Sequence, residues 1–583
     1  MTEFSGALLE GVVDRLTRPD YRAFEAQLRS SGFCARPVRL RGSVEICEGS
    51  GVRRRVWSTA SEPDELLRKA CGSRREAICG PCAERYRGDA WQLIAAGLRG
   101  GKGVPESVAG HPTVFATLTA PSFGPVHAHL FDADGRPRRC RPRRDAPVCP
   151  HGVTLACTRV HEPDDPCLGE PLCLDCFDHE GAVVGNNLLG ELWRRTTIYL
   201  PRQLAALLGM TQKRCRELVR VSYIRVAEYQ HRGLVHMHPL IRLDRRMPAY
   251  RDGEVRPPDR RFTVHLLEDA LRATVEAVSV GVPDELGAGT VRWGAQLDVQ
   301  RLTGDDEQRR RRASYLAKYS TKSTEHAGGL LHRVHPSEVD TAPVREHVRR
   351  YLRTAFELHD RVRAAIGADA PAECVTASST APATASDPNG LVLRVLEAMS
   401  TGERVLVRLQ DGDEHVGRIV RRTADRLVLD TGSVFAMVGV RLITAAAPQA
   451  PKRDPRDRRL AACAHAFGYR GHCLTKSRRW STTFTALRQA REDHVREQLL
   501  AHGTPKQREL AQLAGTERTT AFEFVGVGHL TTADAWLAAQ AAARARESRE
   551  LAREALDDER QRRVQDGWGI VSREPLGVEG PEP

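Results

Sequence analysis

Two imidazoles two residues apart, and two phenols four residues apart, are the groups in this 583-residue sequence with the most chemistry to offer. His236 and His238 stand in "LVHMHPLIRLD". Side chains alternate faces along a strand, so the two histidines point one way and Met237 the other. Leu234, Val235, Leu240 and Ile241 give this strand apolar flanks, as a central strand requires. Two imidazoles on one face make half a metal site, and metal sites that do catalytic work usually add a carboxylate. "SYIRVAEYQ" reads as the preceding strand, joined through the turn "HRG". With the hairpin centred near Arg232, Glu228 falls opposite His236 on the same face. A second His-x-His, His127 and His129 in "VHAHLF", follows Pro125 and has no partner strand offering a carboxylate. That pair reads as structural or incidental.

In "SYLAKYSTK", Tyr315 and Tyr319 share one face of a helix, with Lys318 and Lys322 beside them. A phenol with its ordinary pKa of about 10 is a poor nucleophile unless its developing charge is stabilised. A lysine and a metal-polarised phosphate would supply that stabilisation. A buried aromatic stripe with solvated lysines has the same pattern, and the local sequence leaves both open. Upstream, "RRRR" at 309–312, with Arg310 and Arg311 at its centre, suits a grip on phosphates or a wet helix face.

The fifteen cysteines contain two C-x2-C pairs. Cys79 and Cys82 follow Cys71 and need a remote fourth ligand, Cys47 or Cys34. Cys173 and Cys176 follow Cys149, His151 and Cys157, a spacing workable for a zinc-ribbon-like site. These would be structural Zn²⁺ sites that orient DNA-facing loops. The alternative is a set of reduced, buried thiols.

The elements that must position these groups can be read along the chain. Residues 1–110 mix extended runs with one helix, "CAERYRGDAWQLIAAGLR". "TVFATLTAP" reads as a strand stopped by Pro121, and residues 138–180 are dense in Cys, Pro and Asp. Helices are expected over 186–199, 265–279 and roughly 305–325. Residues 367–388 are Ala/Ser/Thr/Pro-rich and aperiodic, as a flexible linker is. Residues 389–447 alternate apolar and polar with turns at Asp411-Gly412 and Thr431-Gly432, predicting a small five-stranded barrel. A second linker at 448–459 leads to a C-terminal part, 460–583, with a basic start and a helix over 533–566. Lys476, Arg478, Arg479 and Trp480 in that start suit phosphate contact and base stacking.

Such a length requires several domains. The net charge of +13 and pI near 9.2 favour an anionic partner, nucleic acid above all. There is no signal pattern and no apolar run of about 18 residues, so a membrane partner is not expected. A cytoplasmic protein with reduced cysteines is.

"EYQHRGLVHMHPLIRLD", "YLAKYSTK", "GHCLTKSRRWSTTFTALR" and "CRPRRDAPVCPHG", in this chain's arrangement, resemble the RepSA-type replication initiators of actinobacterial plasmids and integrative elements, within the HUH endonucleases. The resemblance spans roughly 34–366 and 460–555. It implies an antiparallel HUH sheet flanked by helices over 111–366; with the zinc-ribbon-like insertion at about 138–180, the inserted SH3/Sm-like barrel and the helical C-terminal region read from the residues, the expected fold is α+β. His236, His238 and Glu228 would hold Mg²⁺ or Mn²⁺ against single-stranded origin DNA. A tyrosine would attack, leaving a 5′-phosphotyrosine bond and a free 3′-hydroxyl that starts rolling-circle replication. A host helicase and polymerase are the implied further partners. The barrel departs from the family pattern, as does Trp480, where the pattern has tyrosine. A conjugative relaxase or single-strand transposase has the same chemistry; a zinc-containing DNA-binding regulator would keep the metal sites without cutting.

Overall fold

The structure, a computed structural model, describes residues 6–47, 53–248, 254–303, 306–365, 459–513 and 518–565, together with five strands between 404 and 445. The chain forms two compact units, one from Met1–Leu358 with Arg459–Pro583, the other from His359–Arg458.

The larger unit is built on a five-stranded sheet of β1 (Thr113–Leu118), β2 (Val219–Tyr229), β3 (Val235–Arg245), β4 (Leu297–Arg301) and β5 (Leu474–Lys476). Its order is β4-β1-β3-β2-β5, and every neighbouring pair is antiparallel. The two-histidine strand β3 is therefore the central one. Both of its faces are covered: one carries Val235, Met237, Ile241 and Leu243, the other His236, His238, Arg242 and Asp244 around Leu240. Pro239 sits within it, and the ladder to β1 skips Ala116 and Thr117 beside it, since proline has no N–H to donate.

Helices α1 (Gly80–Arg99), α2 (His179–Leu207), α3 (Asp306–Tyr319) and α4 (Glu346–Ala365) flank this sheet. Leu93 and Ile94 of α1 pack with Ala313, Leu316 and Ala317 of α3 and with Phe115, Ile224, Val226 and Leu240 of the sheet. The tyrosine helix thus lies against the sheet in one core. Helix α2 is longer than the expected 186–199: Asp178 caps it by accepting from the Gly181 N–H, and the helix continues through Pro201.

A second sheet joins the chain's two ends. Val38–Cys47 pairs antiparallel with Arg518–Val527 on one side and with Arg53–Ser58 and Leu67–Lys69 on the other. Helices Gly6–Thr17 and Tyr21–Ser30, absent from the sequence reading of residues 1–110, share a core with Thr532–Gln565 through Val12, Phe24, Leu28, Ala533 and Leu537. The C-terminal region, expected to be helical, thus contains a ten-residue strand.

In the smaller unit, five antiparallel strands (Arg404–Leu409, Glu414–Arg422, Arg426–Leu429, Val434–Ala436 and Val440–Ala445) form an open sheet. Among the described residues the edge strands do not pair, so the predicted barrel is not closed; Val434–Ala436 offers a closing ladder only three residues. The linkers expected at 367–388 and 448–459 lie, Arg459 apart, outside the described residues, as does the tail after Gln565.

Candidate active site

The β2–β3 hairpin sets Glu228 directly opposite His236 in the antiparallel register, the register read from the sequence. Its turn is clamped by groups the sequence reading did not single out. Asn186 donates to Gly233 O at 2.9 Å and accepts from Val235 N at 3.1 Å. Tyr351 Oη donates to Arg232 O at 3.0 Å. Gly233 has φ +79°, and a Cβ there would meet the Tyr351 ring at 2.7 Å, so glycine is required on both counts.

On the site face, Glu228 Oε2 lies 2.7 Å from His238 Nε2, and His238 Nδ1 lies 3.2 Å from Thr117 Oγ1. His238 is sandwiched: the Phe115 ring is parallel to it at 6.1 Å and Tyr319 stacks at 6.0 Å, with Tyr315 edge-on at 5.8 Å. The two phenol rings are 4.7 Å apart, and His236 and His238 are 6.3 Å apart. Met237 points to the other face, where Arg225 Nη1 reaches its sulfur at 2.7 Å and Tyr469 Oη at 3.3 Å.

Electrostatics explain what this arrangement requires. Burial, then Arg232 and His238, lowers the His236 imidazole to about 3. It is therefore neutral at ordinary pH, and its buried Nε2 has no hydrogen-bond partner. A neutral imidazole with an orphaned buried nitrogen has the chemistry of a metal ligand, whereas the Glu228 carboxylate and the His238 imidazole are bonded to each other. Burial also raises the Tyr315 phenol well above its usual range, Tyr319 and the Glu228 carboxylate adding to the shift. Tyr319 is raised by burial and by Glu228. A cation held at Glu228 would reverse the sign of that carboxylate's influence. Lys322 Nζ stands 4.7 Å over the Tyr319 ring, and Lys318 is exposed one turn away.

Among the described residues, three Cys/His clusters and a smaller His161/Asp165/Cys167 group are gathered closely enough to hold a metal. Cys34 joins Cys71, Cys79 and Cys82; of the two expected fourth ligands it is the one the structure brings in, and the Cys47 side chain lies outside the described atoms. Sulfur separations of 3.7 Å (Cys34–Cys79), 3.6 Å (Cys34–Cys82) and 3.7 Å (Cys71–Cys82) match the edge of a thiolate tetrahedron, about 3.8 Å for bonds of about 2.3 Å. Hydrogen bonds from Cys34 and Cys82 hold Cys79 far below the ordinary thiol range. Cys149, His151, Cys173 and Cys176 form the second cluster, with His151 Nδ1 3.3 Å from Cys176 and 3.7 Å from Cys173.

Cys157 is not in it, contrary to the sequence reading. The antiparallel bridge Arg141↔Cys157 turns it instead toward Cys140, His127 and His161. His127, read as structural or incidental, is therefore a member of a cluster able to hold a metal. Its sequence signal was obscured because its partners are 13 to 34 residues away in an irregular segment.

The expected DNA contacts divide. Arg310 and Arg311 are on the surface of α3, paired within the helix to Asp306 at 2.9 Å and Glu307 at 3.1 Å. Arg478 is exposed and Arg479 half-buried, while Lys476 Nζ donates to Ser481 O at 2.9 Å. Trp480 is 0% exposed, its Nε1 donating to Leu93 O at 3.2 Å and Arg242 lying over its ring. It has no free face for a base; the ring belongs to the core.

Histidines, a carboxylate and paired tyrosines are thus gathered on an antiparallel sheet, in a basic chain that also carries Cys/His clusters able to hold a metal. A sequence model of the RepSA family, "Replication initiator protein, pSAM2", matches residues 20–381 and 409–543. A replication initiator protein of Streptomyces ambofaciens is 35% identical over 560 residues, covering 93% of this chain and 94% of its own. No solved structure matches. The chain belongs to the RepSA family of replication initiator proteins. No described helix is long and apolar enough to cross a membrane.

Proposed function

We propose that this chain binds the origin DNA of a plasmid or integrative element and nicks one strand through a tyrosine, starting rolling-circle replication. The observation that carries the reading is His238, bonded to Glu228 and neighboured by His236, in ring contact with both Tyr315 and Tyr319. Glu228, His236 and His238 would hold Mg²⁺ or Mn²⁺, which when bound supplies Lewis-acid polarisation of the scissile phosphate. The phenol oxygen of Tyr315 or Tyr319 attacks phosphorus as its proton passes to solvent. A phosphotyrosine ester forms as the phosphorus–oxygen bond to the 3′-carbon breaks, and the departing 3′-oxygen takes up a proton to become the priming hydroxyl. Lys318 and Lys322 add positive charge beside the developing phenolate. Arg310, Arg311, Lys476, Arg478 and Arg479 would contact phosphates.

The Cys34/Cys71/Cys79/Cys82 and Cys149/His151/Cys173/Cys176 clusters would hold structural Zn²⁺. The fold reading that goes with this is an HUH-type sheet carrying an inserted barrel-like module, in a cytoplasmic initiator served by a host helicase and polymerase.

The test is to incubate the full chain with single-stranded origin DNA and Mn²⁺ or Mg²⁺ and look for a covalent adduct. His236→Ala and His238→Ala are expected to abolish the adduct while leaving DNA binding largely intact. Tight binding with no adduct at permissive salt would instead make the chain a regulator. Maintenance of a plasmid carrying its origin separates replication from a relaxase or transposase role.

A further inference from the structure

We infer that His127, Cys140, Cys157 and His161 form a third structural zinc site, of Cys2His2 type, that buttresses the turn leading into the His236 strand. It shares no residue with the two clusters above and does not depend on the nicking reading.

The geometry is that of a tetrahedron. The four ligand atoms lie within 4.8 Å of one another. His127 Nδ1 is 3.2 Å from His161 Nε2, and Cys157 Sγ is 3.4 Å from that nitrogen. Zinc bonds of about 2.0–2.1 Å to nitrogen and about 2.3 Å to sulfur give tetrahedral edges of about 3.3–3.8 Å. Three of the four ligands are buried, His161 at 1% exposed, Cys140 at 2% and Cys157 at 8%, and His127 is half-buried. Two imidazoles and two thiols facing one another satisfy each other poorly as hydrogen-bond partners, but are a complete ligand set for zinc.

The surroundings of the ligands are those of a built metal site. Asp165 Oδ2 lies 2.8 Å and Cys167 Sγ 3.3 Å from His161 Nδ1, and a proton on that nitrogen donated to Asp165 would leave the Nε2 lone pair facing the cluster. The Ala128 N–H points at Cys140 Sγ at 3.3 Å, a backbone donor suited to a thiolate. The backbone brings the ligands together through Cys140 N to Arg159 O at 2.8 Å and the Arg141↔Cys157 bridge.

The site connects to the hairpin through its own neighbours. Gly169 N donates to His127 O at 2.9 Å, and Gly169 packs so closely on His231 that a Cβ would meet the His231 carbonyl carbon at 2.3 Å. Arg345 binds Pro166 O at 3.1 Å, Leu168 O at 3.0 Å and His231 O at 3.2 Å. Losing the metal would loosen 166–170 and, with it, one side of the turn that presents β3.

The experiment counts zinc by atomic emission in the purified full chain. Cys140→Ser and His127→Ala are each expected to carry one zinc fewer per chain than the unsubstituted protein. Counts equal to that of the unsubstituted protein in both would overturn the site. Because either variant could misfold, His127→Cys serves as a second measurement. It keeps the zinc count, and its Co²⁺-loaded form gains thiolate-to-metal absorption; a Co²⁺ spectrum identical to that of the unsubstituted protein overturns the proposal. Asp165→Asn should weaken one bound zinc by about 10–100-fold in chelator competition, and an unaltered competition curve counts against the assigned ligand geometry.

Discussion

Gly97→Ala offers the sharpest check on the structure's account of Trp480. A Cβ at residue 97 would lie 2.2 Å from Trp480 Nε1 and 2.3 Å from its Cε2, well inside contact distance. The indole cannot retreat easily: it is fully buried, lies 5.0 Å from the Arg242 guanidinium carbon and is fixed to Leu93 O. Overpacking of this kind costs about 1–3 kcal/mol. Displacing the indole also breaks the Nε1–Leu93 bond, worth about 1 kcal/mol. The expected destabilisation is thus about 2–4 kcal/mol, read as a melting midpoint several degrees lower for the full chain. Gly97→Ala combined with Trp480→Leu should recover part of the loss, since the smaller side chain vacates the space; a coupling of at least about 1 kcal/mol is expected for residues in contact. A Gly97→Ala protein melting within about 0.5 kcal/mol of the unsubstituted one would refute the reasoning. So would Trp480→Phe if it lost single-strand binding with no loss of stability, because that is the behaviour of a stacking residue.

Other consequences can be measured separately. Asp244 is fully buried, bound by Arg242 at 2.7 Å, His111 at 2.8 Å and Ser222 at 2.6 Å. Despite the opposing effect of burial, His111 and Arg242 hold its carboxyl below the ordinary range. Its stabilisation is therefore present above the unfolded value of about 3.9 and lost as pH falls through the lower folded value. Asp244→Asn should cost about 3–5 kcal/mol by leaving Arg242 uncompensated and should flatten stability against pH below about 4; an unchanged acid limb in urea titrations would count against this. Glu228→Gln should cut adduct formation by at least about tenfold while DNA affinity by anisotropy holds; equal adduct rates would remove Glu228 from the site. Arg74 Nη1 reaches Lys322 O at 3.2 Å and Ser320 O at 3.4 Å from the loop between Cys71 and Cys79. Arg74→Ala should slow adduct formation several-fold without lowering the zinc count, and a lost zinc with normal adduct rate would contradict it. Tyr315→Phe and Tyr319→Phe, made separately, should show by adduct yield which phenol attacks; full yield in both, and in the double variant, would reject the tyrosines.

What the sequence determined by itself is local. The period-2 pattern around "HMH" and the short "HRG" turn define the hairpin, and counting back from Arg232 places Glu228 opposite His236. The i, i+4 spacing of Tyr315 and Tyr319 puts both rings on one face of α3, and the C-x2-C pairs mark two clusters. What only the tertiary structure decided are choices between remote partners, which carry no periodic signal. Arg518–Val527 becomes a strand because Val38–Cys47 waits for it across most of the chain. Cys34 completes the first cluster, and a single cross-bridge at Arg141 sends Cys157 away from its nearer cysteines. Trp480, in a basic segment that looks exposed, is drawn under α1 because Gly97 leaves room for an indole whose burial outweighs any surface role. The tyrosine pair is the same case: its spacing fits a plain aromatic stripe equally well, and only the packing of α3 on the sheet brings both phenols against His238.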